Sequence, residues 1–234
     1  PDASAEAVSE LDGPFGAAYD VNAACSGYLY GMQIAHDFLA QDPAAKVLLV
    51  TTEELSPRVD VTDPGTAPIF GDAATATLIT AENSAAANGS GQAGRFLARI
   101  RRPVLRAHGE SGDLLKVPET GYIHMEGPPV FVAAVKNMIR VLREACEATG
   151  IGTRDLSLVV PHQANQRIIN AVRQRLRAPE ELLYSNIRHL GNTSSSTIPL
   201  ALSEILGTRP AGERIGLTAF GGGFTFAGAV IETL

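Results

Sequence analysis

Long apolar runs are missing from this chain. None approaches the roughly 20 residues that a membrane-spanning helix needs, and no basic-then-apolar leader opens the sequence. No membrane partner is therefore expected. Cysteine is scarce as well: Cys25 and Cys146 are the only two in 234 residues. That is too few for a disulfide framework and fits a reducing compartment, for which the cytoplasm is the expectation. Positive charge is not in excess either. With a net charge of −6, the chain offers no broad surface for nucleic acid, and an acidic partner would have to be held by a local basic patch. What is present, 45% hydrophobic residues with mixed strand and helix patterns, suffices for a substantial core in one or two domains.

One of the two cysteines sits in the most informative stretch. Residues 16–21 read as an apolar extended segment, and Tyr28, Gly31, Met32, Ala35, Phe38 and Leu39 recur at i, i+3, i+4, i+7 spacing. The pattern predicts a strand-to-helix junction with Cys25 at the helix N-terminus. There the helix dipole and unpaired N–H groups favour thiolate over thiol, so a lowered pKa is expected. Ala23, Ala24, Ser26 and Gly27 are small and leave room for a substrate. A lone cysteine is more often an inert buried thiol; its placement and its possible partners make this one a candidate nucleophile.

Further along, residues 46–52 read as a buried strand and residues 70–80 as a second strand with small side chains. Residues 53–68 form a Pro- and Asp-containing connection, and residues 84–94 a Gly/Ser/Ala/Asn-rich linker. A short strand is expected at 95–100, and residues 102–120 look irregular. Two prolines open an amphipathic helix at 129–149 whose apolar face carries Val132, Val135, Ile139, Leu142 and Cys146. Cys146 on that face reads as core. A strand at 156–160 leads into residues 161–165 and a helix to about Leu176; a short strand at 182–186, a helix from Gly191 through Leu206 and strands at 214–220 and 224–233 complete the pattern.

Two segments of this order echo each other: strand, functional-looking residue, helix, strand, glycine turn, strand. In that register Asn192 takes the place of Cys25, which suggests a duplicated α/β unit packed as layers. The second unit is preceded by a helix, a strand and the His162 helix, and nothing comparable precedes Cys25. His162 follows a strand end that would aim it toward a cleft. By itself such a histidine is more often structural, and Asn192 by itself reads as a helix N-cap. Together with Cys25 they suggest thioester chemistry: a thiolate that accepts an acyl group, and an imidazole N–H and an amide that donate to a second thioester carbonyl, stabilising an enolate formed by decarboxylation. The turn Gly221-Gly222-Gly223 could bring a backbone N–H into an oxyanion hole.

These residues resemble the ketoacyl-acyl-carrier-protein synthase III enzymes of the thiolase-like fold. The resemblance runs through Asp20-Val21-Asn22-Ala23-Ala24-Cys25-Ser26-Gly27, Phe70-Gly71-Asp72-Ala73-Ala74, Val160-Pro161-His162-Gln163-Ala164-Asn165, His189-Leu190-Gly191-Asn192-Thr193-Ser194 and Ala219-Phe220-Gly221-Gly222-Gly223-Phe224. It implies a layered αβαβα architecture from two α/β halves, 1–94 and 95–234, with the N-terminal part of the first half missing. Cys25 would be the acylated nucleophile, and His162 with Asn192 would promote decarboxylation of malonyl-acyl-carrier protein. The N–H groups of Cys25 and Gly222 would form the oxyanion hole and Phe220 would line the site. Gly127 and Phe131 would lie along the pantetheine tunnel, and Arg167, beside Arg173, Arg175 and Arg177, would face the acidic carrier protein. Acyl-CoA would be the acyl donor, no metal or redox cofactor would be needed, and a homodimer is implied. Two alternatives stay open: an acyltransferase delivering to a hydroxyl or amine, and an inactive fragment or partner of a separate N-terminal half.

Overall fold

A computed structural model of the chain describes residues 16–82 and 96–234; the expected linker at 84–94, and with it the boundary between the two halves, lies outside the described residues. Helix α1 (Gly27–Gln41) leads to β1 (Lys46–Glu53) and β2 (Ala73–Thr80), followed by β3 (Ala98–Ile100), β4 (Val104–Ala107), β5 (Leu115–Lys116) and β6 (His124–Met125). Next come α2 (Gly127–Ala148), β7 (Leu158–Pro161), α3 (Gln166–Leu176), the single turn α4 (Ile187–Leu190), α5 (Thr197–Ile205), β8 (Arg214–Gly221) and β9 (Thr225–Thr233).

The central sheet runs β3-β9-β8-β7, with β4 also on β9. β7 is parallel to β8, while β8 and β9 form a long antiparallel hairpin. One face of this sheet is covered by α2 and α3, through Met138, Leu142, Ile168 and Val172 against Phe226 and Val230. Its other face meets α1 and α5, where Leu29, Met32, Ile198 and Leu202 pack on Leu217 and Ala229. Beyond those helices lies the antiparallel pair β1–β2. The described residues therefore supply four layers, helix, sheet, helix and sheet, of the expected αβαβα stack. Contact between layers depends on Gly228, where a Cβ would stand 2.3 Å from the Val141 carbonyl oxygen; its absence lets α2 lie directly on β9.

Several expectations change. Residues 16–21 form no strand; they find no ladder partner among the described residues, and Tyr19 and Val21 are exposed. β1 is half-exposed rather than buried. Val47, Leu49 and Thr51 point inward, but Leu48, Val50 and the cross-strand neighbour Leu78 face outward and are exposed. Apolar residues on both faces of a strand signal burial on both; among the described residues no layer covers the outer face. Phe38 and Val132 lie off their helices' buried stripes and are exposed. Residues 102–120 are more ordered than expected, since β4, a 3₁₀ turn and β5 fall within them. The strand expected at 182–186 is reduced to one bridge, Leu183 to Val159.

The internal echo is real but shifted. Asn22 Oδ1 accepts the Ala24 N–H at 3.1 Å, and Asn192 Oδ1 accepts the Ser194 N–H at 2.9 Å. Ala24 and Ser194 both take left-handed backbone conformations, with φ of 47° and 49°. Each begins a 3₁₀ turn, Ala24–Ser26 and Ser194–Ser196, that runs straight into α1 and α5. Asn192 thus corresponds to Asn22, and the counterpart of Cys25 is Ser195. Matching the two conspicuous residues to each other gave the wrong register; matching the helix starts gives the right one.

Candidate active site

Cys25 occupies the middle of the first 3₁₀ turn, immediately after the left-handed Ala24, a conformation costing a non-glycine residue roughly 1–2 kcal/mol. Tethers to the β8–β9 hairpin hold it there: Thr225 Oγ1 donates to the Ala23 carbonyl at 2.8 Å and Ser26 Oγ to the Thr225 carbonyl at 3.2 Å. Gly221 makes the approach possible, because a Cβ on it would stand 2.8 Å from the Cys25 nitrogen.

His162 is set by the end of β7. Its N–H donates to the Thr218 carbonyl at 2.7 Å, continuing the parallel ladder one residue past Pro161. The neighbouring Gln163 side chain donates to the Pro161 and Tyr184 carbonyls and accepts the Asn186 N–H, while Asn165 caps α3 through the Ile168 N–H. The imidazole is 1% exposed. Its Nδ1 lies 2.7 Å from Thr197 Oγ1.

Asn192 forms a parallel bridge with Phe70: its N–H donates to the Ile69 carbonyl and its carbonyl accepts the Gly71 N–H. Because Oδ1 receives the Ser194 N–H, the side-chain amide has one orientation, and its NH₂, which has no partner among the described residues, can donate. Glu53, at the end of β1, accepts from both the N–H and the hydroxyl of Ser195, fixing the turn that follows Asn192.

These three side chains share one pocket of about 360 Å³, within the usual range for a small-molecule site. Of the other expected site residues, Phe220, Gly222, Gly127 and Phe131 line it too. Phe220 belongs to an aromatic cluster with Phe224 and Phe226. Arg167 is outside the lining and stands over the Phe131 ring, 5.9 Å from its centroid. Arg173 and Arg175 fall in the last turn of α3 and Arg177 is its left-handed C-cap, positions where arginine suits the helix end on structural grounds alone. Sequence reasoning missed Ser194, Thr197, Glu53 and Leu115. The first two follow Asn192 by two and five positions, a spacing readable only once the start of α5 is known.

The lowered pKa expected for Cys25 is overturned. Burial pushes the thiol up to about 11, outweighing a hydrogen bond from Ser194, and the Glu53 carboxylate adds to the rise. Apolar walls remove more hydration from a thiolate than one turn of helix returns. Burial likewise pushes His162 down to about 3, so the imidazole is neutral at physiological pH. Alkylation of Cys25 by iodoacetamide, followed by peptide mass analysis, is therefore expected to accelerate about ten-fold per pH unit from 7 to 10, because only the thiolate reacts. A plateau near pH 7 would restore the activated thiolate and overturn this assignment.

Known proteins share both sequence and fold with this chain. Residues 19–93 match the family model described as 3-oxoacyl-[acyl-carrier-protein (ACP)] synthase III, and residues 146–233 match its C-terminal counterpart. A beta-ketoacyl-[acyl-carrier-protein] synthase III from Nitratidesulfovibrio vulgaris is 39% identical over 231 residues, covering 92% of this chain and 68% of that protein. The crystal structure of the Aquifex aeolicus 3-oxoacyl-[acyl-carrier-protein] synthase III aligns with a TM-score of 0.82 and 38% identity over 92% of this chain. The priming beta-ketosynthase of the R1128 polyketide pathway aligns with a TM-score of 0.78 and 30% identity, covering 92% of this chain and 65% of that one. The chain spans 66% of the length of the Aquifex relative.

Proposed function

Since this chain belongs to the 3-oxoacyl-[acyl-carrier-protein] synthase III family, we propose that it acts as a condensing enzyme that starts fatty acid or polyketide chains. The observation that carries this reading is the meeting of Cys25, His162 and Asn192 in one largely apolar pocket, with the Asn192 NH₂ able to donate.

In the first half reaction the Cys25 sulfur attacks the thioester carbonyl of an acyl-CoA. The bond to the coenzyme sulfur breaks, and the thiol proton leaves with the coenzyme. With a thiol pushed up to about 11, deprotonation accompanies attack rather than preceding it. The N–H groups of Cys25 and Gly222 hold the tetrahedral oxyanion. In the second half reaction malonyl-acyl-carrier protein enters. His162 Nε2–H and the Asn192 amide donate to its thioester carbonyl, the bond to the carboxylate breaks with release of carbon dioxide, and the enolate attacks the acyl group on Cys25. The carbon–sulfur bond to Cys25 breaks, the product is a 3-oxoacyl-carrier protein, and the departing thiolate takes one proton from solvent to regenerate the thiol. Loss of carbon dioxide supplies the driving force, so no metal or redox cofactor is invoked.

Gly127 and Phe131 suit a pantetheine arm, and Arg167 beside Phe131 suits the acidic carrier protein. A free thiol nucleophile suits a reducing compartment such as the cytoplasm, and among the described residues no helix is long and apolar enough to cross a membrane. A homodimer is part of the proposal on family grounds. The test is intact-protein mass spectrometry with a panel of acyl-CoA donors, then malonyl-acyl-carrier protein. One acyl group gained, and then discharged as a 3-oxoacyl-carrier protein, is the expected result. Discharge only to an alcohol or amine, or no gain with any donor, would overturn the reading.

A further inference from the structure

A neutral imidazole has one proton and two nitrogens, and which nitrogen holds it is set by the partner of the other. His162 is buried, with burial keeping it neutral. Its Nδ1 has one partner among the described residues, Thr197 Oγ1 at 2.7 Å. The second ring nitrogen has no hydrogen-bond partner there and belongs to a side chain that lines the pocket. The Thr197 hydroxyl has two acceptors in reach: His162 Nδ1, and the Ser194 carbonyl at 3.0 Å. That carbonyl already receives the Thr197 backbone N–H at the start of α5, and the contact to the imidazole is the shorter one.

We propose that the Thr197 hydroxyl donates to His162 Nδ1 and thereby keeps the imidazole proton on Nε2, making Thr197 the positioning residue for the decarboxylating donor. The inference rests on the condensing function proposed above. That reaction asks Nε2 to donate to a thioester carbonyl beside the Asn192 NH₂. With the opposite tautomer, Nδ1–H would donate to Thr197, the hydroxyl would turn to the Ser194 carbonyl, and a bare Nε2 lone pair would face the carbonyl oxygen. One of the two donors would be lost without any atom moving appreciably. Thr197 does not touch the substrate; it acts through His162. α5 therefore serves the site twice, since the turn that precedes it orients Asn192 and its first residue orients His162.

Histidine is sparse enough, five residues, for direct observation. Protein labelled with ¹⁵N-histidine, with the His162 signals assigned by their loss in His162→Gln, reports the tautomer through long-range ¹H–¹⁵N correlation at pH 7. The expected spectrum has Nε2 protonated and Nδ1 bare. Thr197→Val, close in shape but without a donor, is expected to lose that preference, and Thr197→Ser to keep it. In half-reaction assays Thr197→Val is expected to lower malonyl decarboxylation at least about ten-fold more than Cys25 acylation, a fraction of the loss produced by removing an oxyanion donor outright; Thr197→Ser restores it. A proton on Nδ1 in the parent protein, an unchanged tautomer in Thr197→Val, or equal losses in both half reactions would overturn the proposal. The spectrum needs no activity, so failure of the condensing reading shows separately, as a parent protein that has the expected tautomer but accepts no acyl group.

Discussion

Cys25→Ala is expected to take up no acyl group from any acyl-CoA and to form no 3-oxoacyl product, a loss of at least about 10⁴-fold, as befits removal of a covalent nucleophile. The substitution removes one sulfur from a half-buried position in a turn held by other contacts, namely the Asn22 cap, the Thr225 tethers and the close approach of Gly221. The turn should therefore persist, and circular dichroism should match the parent. Carbon dioxide release from malonyl-acyl-carrier protein is expected to continue, because His162 and Asn192 remain and that step breaks a bond in the extender without using the sulfur. Condensation that survives in Cys25→Ala would remove the cysteine from its role and the proposed mechanism with it.

The second large effect is on decarboxylation. His162→Ala and Asn192→Ala are each expected to slow it about 10²- to 10³-fold, the range for loss of one donor to a developing oxyanion. Acylation of Cys25 should fall much less, since neither group is asked to act in it. Both alanine variants also disturb structure. Asn192→Ala leaves the Ser194 N–H without its acceptor next to a left-handed residue, so a loosened loop would mimic a lost donor. Asn192→Asp separates the two: a carboxylate oxygen can still accept that N–H, but no hydrogen is left to donate. The aspartate variant should fold like the parent and decarboxylate as slowly as the alanine variant. If it decarboxylated at the parent rate, Asn192 would be a structural cap alone, the role its position before a helix suggests from sequence. The double variant with His162→Ala should lose less than the product of the single losses, because the two donors serve one oxygen.

The raised pKa of the Cys25 thiol bears on both experiments. Helix-start position argued for a low pKa, yet the thiol is pushed up by the apolar walls around it. A dipole effect is local and readable from the chain; desolvation depends on what other segments bring. The walls come from residues far away in sequence, such as Phe220 on β8 and Leu115 on β5. The same holds for His162, whose neutrality follows from packing between β7, β8 and the start of α5.

Regular elements followed from local pattern. Residues at helical spacing marked α1 and α2, prolines marked the start of α2, and a β-branched run marked β1, because each signal depends on neighbours a few residues apart. The sequence also brought Cys25, His162 and Asn192 forward as candidates, since few residue types can accept an acyl group or donate to a thioester oxygen, and all three line one pocket. Tertiary structure decided what lies between those residues. It set the register of the internal repeat, which rests on two backbone turns sharing an Asn cap and a left-handed residue. It fixed the orientation of the Asn192 amide, the link from Thr197 to His162, and the exposure of Leu48, Val50 and Leu78. Each of these depends on atoms from segments distant in sequence meeting within a few ångströms, and a linear pattern carries no such distance.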